Sequence, residues 1–247
     1  MVVPAGRLGT DLLKSLIYRA TQPIGMLPKV VVYNSVSVDG AINGFNIDLD
    51  LHYRVVGCIG ADALLVGSQT AKSGLVLFQA TVTAEEPSDF QKPVLEPDDE
   101  RLLWVIPDSQ GLLQGLLHMY RRSGFVKDIV VLVSTRTPKP YLTYLKQRNY
   151  DYIVAGCDHV DYKTALEVLY RRYGVETVVT DSGGVLASVL IEAELVDEVQ
   201  LLVAPQVVGK NAISLFRSLN QPLKLCLICS EVISESFVLL YYRVLKS

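Results

Sequence analysis

The sequence lacks the long apolar run that a membrane-spanning helix needs, since no stretch reaches about 18–20 residues. Its first residues lack the charged region and the continuous apolar stretch of a signal peptide. It also has no block of basic residues, and its net charge of −3 is spread over both signs along the chain. We therefore expect a soluble cytoplasmic protein with no membrane partner and no nucleic-acid partner.

Patterns for metal binding and covalent cross-linking are also missing. Of four cysteines, only Cys226 and Cys229 form a C-x-x-C pair. That pair lies in an apolar run typical of a strand, where side chains three apart point to opposite faces. No second pair of ligands exists at a suitable spacing, and the three histidines are far apart in sequence. We therefore predict buried thiols, no metal site, and no histidine in proton transfer.

The 247 residues, half of them hydrophobic, are enough to bury a full core. Residues 1–28 are predicted to form an accessory helix and linker, and residues 29–247 a single domain. In the accessory helix, the apolar residues at helical spacing are Leu12, Leu13, Leu16 and Ile17. We expect that face to pack on the domain or at a subunit interface.

From Lys29 onward, helical patterns alternate with continuous apolar strands, which is typical of an α/β domain with a mainly parallel sheet covered on both faces. A short helix is predicted from Asp50 to Gly60. The stretch from Thr81 to Glu100, with three prolines and seven acidic residues, is predicted to be an exposed loop. The cationic pair that begins at Arg121 lies near a predicted helix end and is expected to be solvated.

Four predicted strands end in polar, glycine-containing segments. These segments are "SVDG" before Ala41, "GSQT" from Gly67, "DSQG" from Asp108 and "DSGG" from Asp181. Each one alone is also typical of an ordinary turn or a capped helix start. In open α/β sheets, however, ligands bind beyond the carboxyl ends of strands, and helix N-termini favour phosphate groups. Four such ends therefore indicate one shared ligand crevice.

The chain resembles the reductase domain of riboflavin biosynthesis, within the dihydrofolate-reductase-like family. The similarity covers roughly residues 29–247 and is carried, in order, by "NSVSVDGAI", "ADALLVGSQT", "LLWVIPDSQG", "DSGGVLASVLIEAELVDEVQLLVAPQVVGK" and "VLLYYRV". It implies an α/β fold with a twisted, mostly parallel sheet, helices on both faces and an antiparallel C-terminal edge. It also implies a homodimer and the cofactor NADPH.

The resemblance also implies roles by position. The cofactor phosphates would meet Gly67, Ser68 and Thr70 on one loop, and Gly183, Gly184, Val185 and Leu186 on another. Ser109 matches a serine near the ribose 2′-phosphate, which favours NADPH over NADH. Asp181 stands where the family usually has a glutamate that contacts substrate. Ser37 and Asp39 would line the substrate side, and Asp39 and Asp181 are the candidates for proton handling.

The implied activity is NADPH-dependent reduction of 5-amino-6-(5-phosphoribosylamino)uracil or its 2,5-diaminopyrimidinone relative. The family's Asp-Asn-Pro run is replaced at Gly74, Leu75 and Val76, and its phosphate-binding arginines have only the shifted Arg54 nearby. These departures favour two alternatives. One is a reductase of the same fold that acts on another pterin-like or carbonyl substrate, and the other is a non-catalytic nucleotide-binding homologue.

Overall fold

A computed structural model describes residues 26–77, 80–96, 98–234 and 236–246. The strands are β1 (Lys29–Ser37), β2 (Ala63–Leu65), β3 (Leu102–Pro107), β4 (Val126–Val133), β5 (Asp151–Val154), β6 (Thr177–Thr180), β7 (Glu198–Ala204), β8 (Leu225–Ile233) and β9 (Phe237–Val244). The helices are α1 (Leu49–Ile59), α2 (Ser68–Leu77), α3 (Leu117–Arg121), α4 (Lys139–Gln147), α5 (Tyr162–Tyr173) and α6 (Gly184–Glu192). The accessory helix predicted near the N-terminus lies outside the described residues, so the two-part division of the chain stays a prediction.

The described strands form one sheet in the order β5-β4-β3-β2-β6-β1-β7-β9-β8. All neighbouring pairs from β5 to β7 are parallel, while β9 pairs antiparallel with both β7 and β8. This arrangement confirms the predicted α/β fold with a mostly parallel sheet and an antiparallel C-terminal edge.

The central strands are apolar throughout because both of their faces are covered. In β1, Val31 and Tyr33 belong to one core cluster with α1, while Val30 and Val32 belong to a second cluster with α5 and α6. Successive side chains of a strand point to opposite faces, so an uninterrupted apolar run supplies both cores at once. The helices are consequently held on two sides of the sheet.

Helix ends follow local sequence chemistry. The Asp48 side chain accepts a hydrogen bond from the Leu51 N–H at 2.9 Å and caps α1. Likewise, Asp161 caps α5 at its start, and Gly174 ends that helix in the left-handed conformation with φ of 66°. Within the described residues, no helix is both long and apolar enough to cross a membrane.

Two burial predictions are wrong. Cys157 and Cys226 are exposed, and Cys58 and Cys229 are only half-buried. The C-x-x-C pair lies on β8, the last strand of the sheet, and within the described part of the chain no strand pairs with its outer edge. Arg121 is not solvated either, because its side chain is 7% exposed and pairs with Asp128.

Candidate active site

The four polar segments predicted to share a crevice follow four adjacent strands. β3, β2, β6 and β1 are consecutive in the sheet and parallel, so their carboxyl ends meet at one edge. The hydrogen-bonded register aligns Leu64 of β2 with Val179 of β6, and Val32 of β1 with Thr180. The β2 and β6 segments therefore leave the sheet at similar heights, while β1 continues past Val32 to Ser37 beside β7.

The segments after β2 and β6 touch each other directly. The Gly67 N–H donates a hydrogen bond of 2.8 Å to Ser182 Oγ, and Ser182 is 1% exposed. A Cβ placed at Gly67 would lie 3.8 Å from both Ser182 Oγ and Thr70 Oγ1. Because α2 begins at Ser68, the Gly67–Ser182 bond holds the start of that helix beside the segment that leads into α6.

Ser182 also ties this pair of segments to the central strand. The buried Asn34 side chain on β1 donates from Nδ2 to the Ser182 carbonyl at 3.4 Å. Ser182 is thus hydrogen-bonded to residues that follow or belong to two other strands. Sequence reasoning placed it in a turn but gave it no role, because its partners lie 115 and 148 positions away.

The residues predicted on the β6 loop have different environments. Gly183 is the N-cap of α6, with an extended backbone, and Val185 is exposed. Leu186 is buried in the core beneath α6, which leaves its backbone N–H as the part able to face a ligand. A Cβ on Gly184 would lie 2.2 Å from the Leu215 carbonyl oxygen. The second glycine of the pair is therefore required by backbone packing.

Ser109 lies in the turn after β3. It is placed beside the β2 loop because β3 and β2 are neighbouring strands, and not by a direct contact. The turn is held by buried Asp108, whose carboxylate accepts hydrogen bonds from the N–H groups of Leu112 and Leu113 and from the Tyr141 hydroxyl. Among the described residues, no hydrogen bond joins Ser109 to the Gly67 or Gly183 segment. Its predicted contact with a 2′-phosphate remains a prediction.

Asp181 faces a histidine that the sequence did not indicate. Its Oδ2 lies 3.6 Å from His52 Nε2, and His52 Nδ1 lies 2.8 Å from Ser35 Oγ. His52 occupies the buried face of α1 together with Leu51 and Val55. A lone polar side chain on an otherwise apolar helix face was the available signal, but its partner is 129 positions away in sequence.

Ser37 and Asp39 hold a loop together. The Ser37 hydroxyl donates to Asp39 Oδ1 at 2.6 Å, and the same carboxylate accepts the N–H groups of Val208 and Gly209. The Ser37 hydrogen bond, with the two backbone bonds, lowers the pKa of Asp39 to about 2. Asp39 therefore stays ionised at neutral pH. Its carboxylate stabilises the loop and does not donate a proton. Its catalytic role remains a prediction that this geometry does not favour.

Where the sequence departs from the family pattern, the residues at Gly74 and Arg54 do not replace the missing Asp-Asn-Pro run or the phosphate-binding arginines. Gly74 lies on α2 with open space around it, and Arg54 is exposed on α1, where its Nε donates to the Asp50 carbonyl.

No cluster of three or more His, Cys, Asp or Glu among the described residues could hold a metal ion. An open depression of about 540 Å³ lies along α4, lined by residues such as Lys139 and Arg148. It includes none of the strand-end residues, so we do not assign the active site to it.

Comparison with known proteins agrees with this fold. The family model described as the RibD C-terminal domain matches residues 28–239. The 2,5-diamino-6-ribosylamino-4(3H)-pyrimidinone 5′-phosphate reductase of Aquifex aeolicus is 30% identical over 184 residues, which span 74% of this chain and 79% of that protein. The protein of the same name from Archaeoglobus fulgidus is 29% identical over 194 residues, covering 74% of this chain and 83% of its own.

Solved structures support the fold at lower sequence identity. The riboflavin biosynthesis reductase Rib7 of Saccharomyces cerevisiae superposes with a TM-score of 0.64 at 14% identity, over 95% of this chain and 98% of that one. The diaminohydroxyphosphoribosylaminopyrimidine deaminase/5-amino-6-(5-phosphoribosylamino)uracil reductase of Thermotoga maritima gives a TM-score of 0.60 at 20% identity, over 89% of this chain and 57% of its own. With the family model matched across most of the sequence, the chain belongs to the family of RibD C-terminal domains.

Proposed function

We propose that this protein is an NADPH-dependent reductase that acts on 2,5-diamino-6-ribosylamino-4(3H)-pyrimidinone 5′-phosphate or the related 5-amino-6-(5-phosphoribosylamino)uracil. Family membership and the names of the two curated relatives support the reaction. The single observation that carries the proposal is the hydrogen bond between Gly67 and Ser182, which joins the starts of two helices at one sheet edge.

The β2 and β6 segments fit the phosphates of a nicotinamide nucleotide. The free N–H groups at the starts of α2 and α6 can donate to phosphate oxygens, and the positive ends of both helix dipoles favour an anion. At Gly67 and Gly183 the missing side chains leave room for close approach of a ligand. Thr70 adds a hydroxyl group on the first turn of α2, and Ser109 would meet a ribose 2′-phosphate, the feature that separates NADPH from NADH.

The substrate would lie on the β1 and β6 side of the crevice. NADPH, when bound, supplies the hydride that reduces the sugar C1′ of an opened, imine form of the substrate. Asp181, at the tip of β6, is the carboxylate available to orient the sugar and hand over a proton. Ser37 reaches this region from β1, while its hydroxyl also fastens Asp39.

A second substrate class is favoured by one observation. The family's Asp-Asn-Pro run is absent from α2, where a Cβ added at Gly74 would meet nothing within 4 Å, and Arg54 is exposed on α1. Charge-assisted contacts are the strongest that a phosphate group makes, so their loss weakens selection for a phosphorylated sugar. The alternative is a reductase that acts on a pterin-like or other carbonyl substrate in the same crevice.

Turnover and cofactor binding separate these proposals. We expect loss of NADPH absorbance with the diaminopyrimidinone phosphate, slower turnover with NADH, and formation of the ribitylamino product. Ser182→Ala is expected to raise KM for NADPH about tenfold. The Gly67 N–H would lose its hydrogen-bond acceptor, and the loop would lose about 1–2 kcal/mol of stabilisation in the binding conformation. Ser218→Ala, at an exposed position, is the control.

Other results point elsewhere. Turnover on a pterin or a simple carbonyl compound alone would favour the second substrate class. NADPH binding without turnover on any of these substrates would identify a non-catalytic homologue. Failure to bind NADPH at all would overturn the proposal.

We also propose that the protein is a cytoplasmic homodimer, with its small-molecule substrate and a second copy of itself as its partners. The exposed apolar residues Leu227, Ile228 and Val232 on the terminal strand β8 support this assembly, since an uncovered apolar edge favours pairing. Val232→Lys is expected to shift the sedimenting species from dimer to monomer. Val154→Lys, on the opposite edge strand, should leave the dimer intact, and a monomeric wild-type protein would contradict the proposal.

A further inference from the structure

A buried histidine stands behind the carboxylate at the tip of β6. His52 is 8% exposed and lies between Asp181, 3.6 Å from its Nε2, and Ser35, 2.8 Å from its Nδ1. The rings of Tyr33 and Tyr53 flank it at centroid distances of 4.7 and 5.0 Å. These neighbours lie on β1, on α1 and in the segment after β6, so three elements fix one imidazole.

The partners of the ring determine where its protons lie. An ionised carboxylate only accepts hydrogen bonds, so the nitrogen that faces Asp181 must carry a hydrogen. The Ser35 hydroxyl can either donate to Nδ1 or accept from it, and it therefore fits both the neutral and the cationic ring. Ser35 therefore holds the ring in the same orientation toward Asp181 in both forms.

The surroundings limit exchange with bulk water. Burial raises the pKa of Tyr33 well above its usual value, so its hydroxyl keeps its proton and donates to the His52 carbonyl at 3.1 Å. Among the described residues, the titratable groups in contact with the ring are Asp181 and the two tyrosines, and of these Asp181 lies beside a ring nitrogen. A proton held on His52 leaves the pair most directly through that carboxylate.

We propose that His52 is a positioning residue that acts through Asp181 and replenishes the proton that Asp181 delivers to the substrate. This inference rests on the proposed reductase function and deepens it. The distance of 3.6 Å is longer than a hydrogen bond, and contacts of this kind commonly tighten when substrate binds. The histidine then orients the carboxylate and supplies it with a proton.

The proton transfers balance as follows. The imidazolium form of His52 gives its Nε2 proton to Asp181 Oδ2 and keeps its Nδ1 hydrogen, and the protonated carboxyl group passes the proton to the imine nitrogen of the opened sugar. NADPH, when bound, would supply the hydride for C1′, so that the C=N bond would become a C–N single bond and the cofactor would leave as NADP⁺. The Ser35 side keeps a hydrogen bond to Nδ1 throughout, and solvent returns one proton to the ring after each cycle.

The pairing is tested first without turnover, by ¹⁵N NMR of the imidazole ring. In the wild-type protein, Nε2 is expected to carry the hydrogen in the neutral ring. Asp181→Asn should change the ring shifts and weaken this preference, while Asp158→Asn, an exposed site remote in sequence, should leave them unchanged. Unchanged shifts in Asp181→Asn would overturn the inference, whether or not the protein reduces the proposed substrate.

Kinetics then tests the role in the reaction. Glutamine can place an N–H near the Nε2 position but cannot carry the proton, so His52→Gln is expected to lower kcat on the order of 100-fold, with KM for NADPH within about twofold. The pH profile of kcat should also change shape, which a merely structural role would not cause. His159→Gln, an exposed histidine, is the matched control.

The outcomes separate the two proposals. An unchanged kcat and pH profile in His52→Gln would overturn the role of the histidine while leaving the reductase intact. If the ¹⁵N shifts of the His52 ring depend on Asp181 but the wild-type protein shows no turnover, the proposed function would be overturned and only the His52–Asp181 pair would be supported.

Discussion

Replacing Arg121 with methionine is expected to lower the free energy of unfolding by about 3–5 kcal/mol, the loss typical when one partner of a buried ion pair is removed. The Arg121 side chain is 7% exposed and that of Asp128 is 11% exposed, with Nη2 2.8 Å from Oδ1. Arg121 Nε donates to the same oxygen at 3.0 Å. Without the arginine, the Asp128 carboxylate would stay buried without its cation.

Arg121 also joins segments that are distant in sequence. Its guanidinium lies 4.0 Å from the centroid of the Tyr150 ring. Its remaining N–H groups donate to four backbone carbonyls, those of Asp89, Gln91, Arg148 and Asn149. A planar fork of five donors suits this set, so Arg121→Lys should recover only part of the lost stability. This one side chain therefore connects β4 to the loop before β3 and to the end of α4.

Urea unfolding measures the effect, with Arg136→Met as the matched control. Arg136 and Asp158 form an ion pair of 2.6 Å, but their side chains are 75% and 54% exposed. Exposed pairs contribute roughly 0–1 kcal/mol, so the control should unfold near the wild-type midpoint. Equal losses in the two variants would contradict the assignment of Arg121 as a buried fastening point.

Local sequence patterns were sufficient for the elements of the fold. β1 and β6 could be predicted because strands covered on both faces are apolar at every position, with no alternation to interpret. The bounds of α5 are marked locally, by Asp161 at its start and Gly174 after its end, residues that act on their own neighbours. The predicted helix from Asp50 to Gly60 differs from α1 by one residue at each end.

Contacts between distant segments could not be predicted in this way. Four polar strand ends indicated a shared edge, but no pattern indicated that Ser182 binds the Gly67 N–H or that His52 faces Asp181. Arg121 was expected to be solvated because a cation near a helix end is stabilised by the dipole without any partner. The partners of Ser182 and His52 are set by strand order, which brings together residues far apart along the chain. The partner of Arg121, Asp128, is only seven positions away, but the carbonyl groups that the guanidinium also binds belong to distant segments.

Replacing Gly184 with alanine is expected to destabilise the protein by about 3 kcal/mol or more and to weaken NADPH binding. The new Cβ would lie 2.2 Å from the Leu215 carbonyl oxygen and 3.1 Å from its carbonyl carbon. These are backbone atoms, so no side-chain rotation relieves the overlap, and overpacking of this kind costs about 1–3 kcal/mol even where neighbours can shift. Either α6 or the segment around Leu215 must move.

The displacement would reach both sides of the proposed site. The Leu215 N–H donates to the Gly40 carbonyl at 3.2 Å, and Ile42 donates to the Ile213 carbonyl at 2.9 Å, so this segment is bonded to the loop after β1. On its other side, it supports the first turn of α6, where the proposed cofactor phosphates would meet free N–H groups. Loss of stability and loss of NADPH affinity should therefore occur together.

Gly183→Ala is the control that isolates the backbone overlap. It changes the adjacent glycine by the same methyl group, but the added Cβ would meet only Ile42 Cδ1 at 3.6 Å, an ordinary contact. Its extended backbone is one that alanine adopts. We expect the unfolding midpoint of Gly183→Ala to stay near that of the wild type. Any rise in its NADPH dissociation constant would then show that the ligand approaches this position closely, with no effect of stability. If Gly184→Ala unfolded at the same denaturant concentration as Gly183→Ala, packing against Leu215 would not be what requires a glycine at this position.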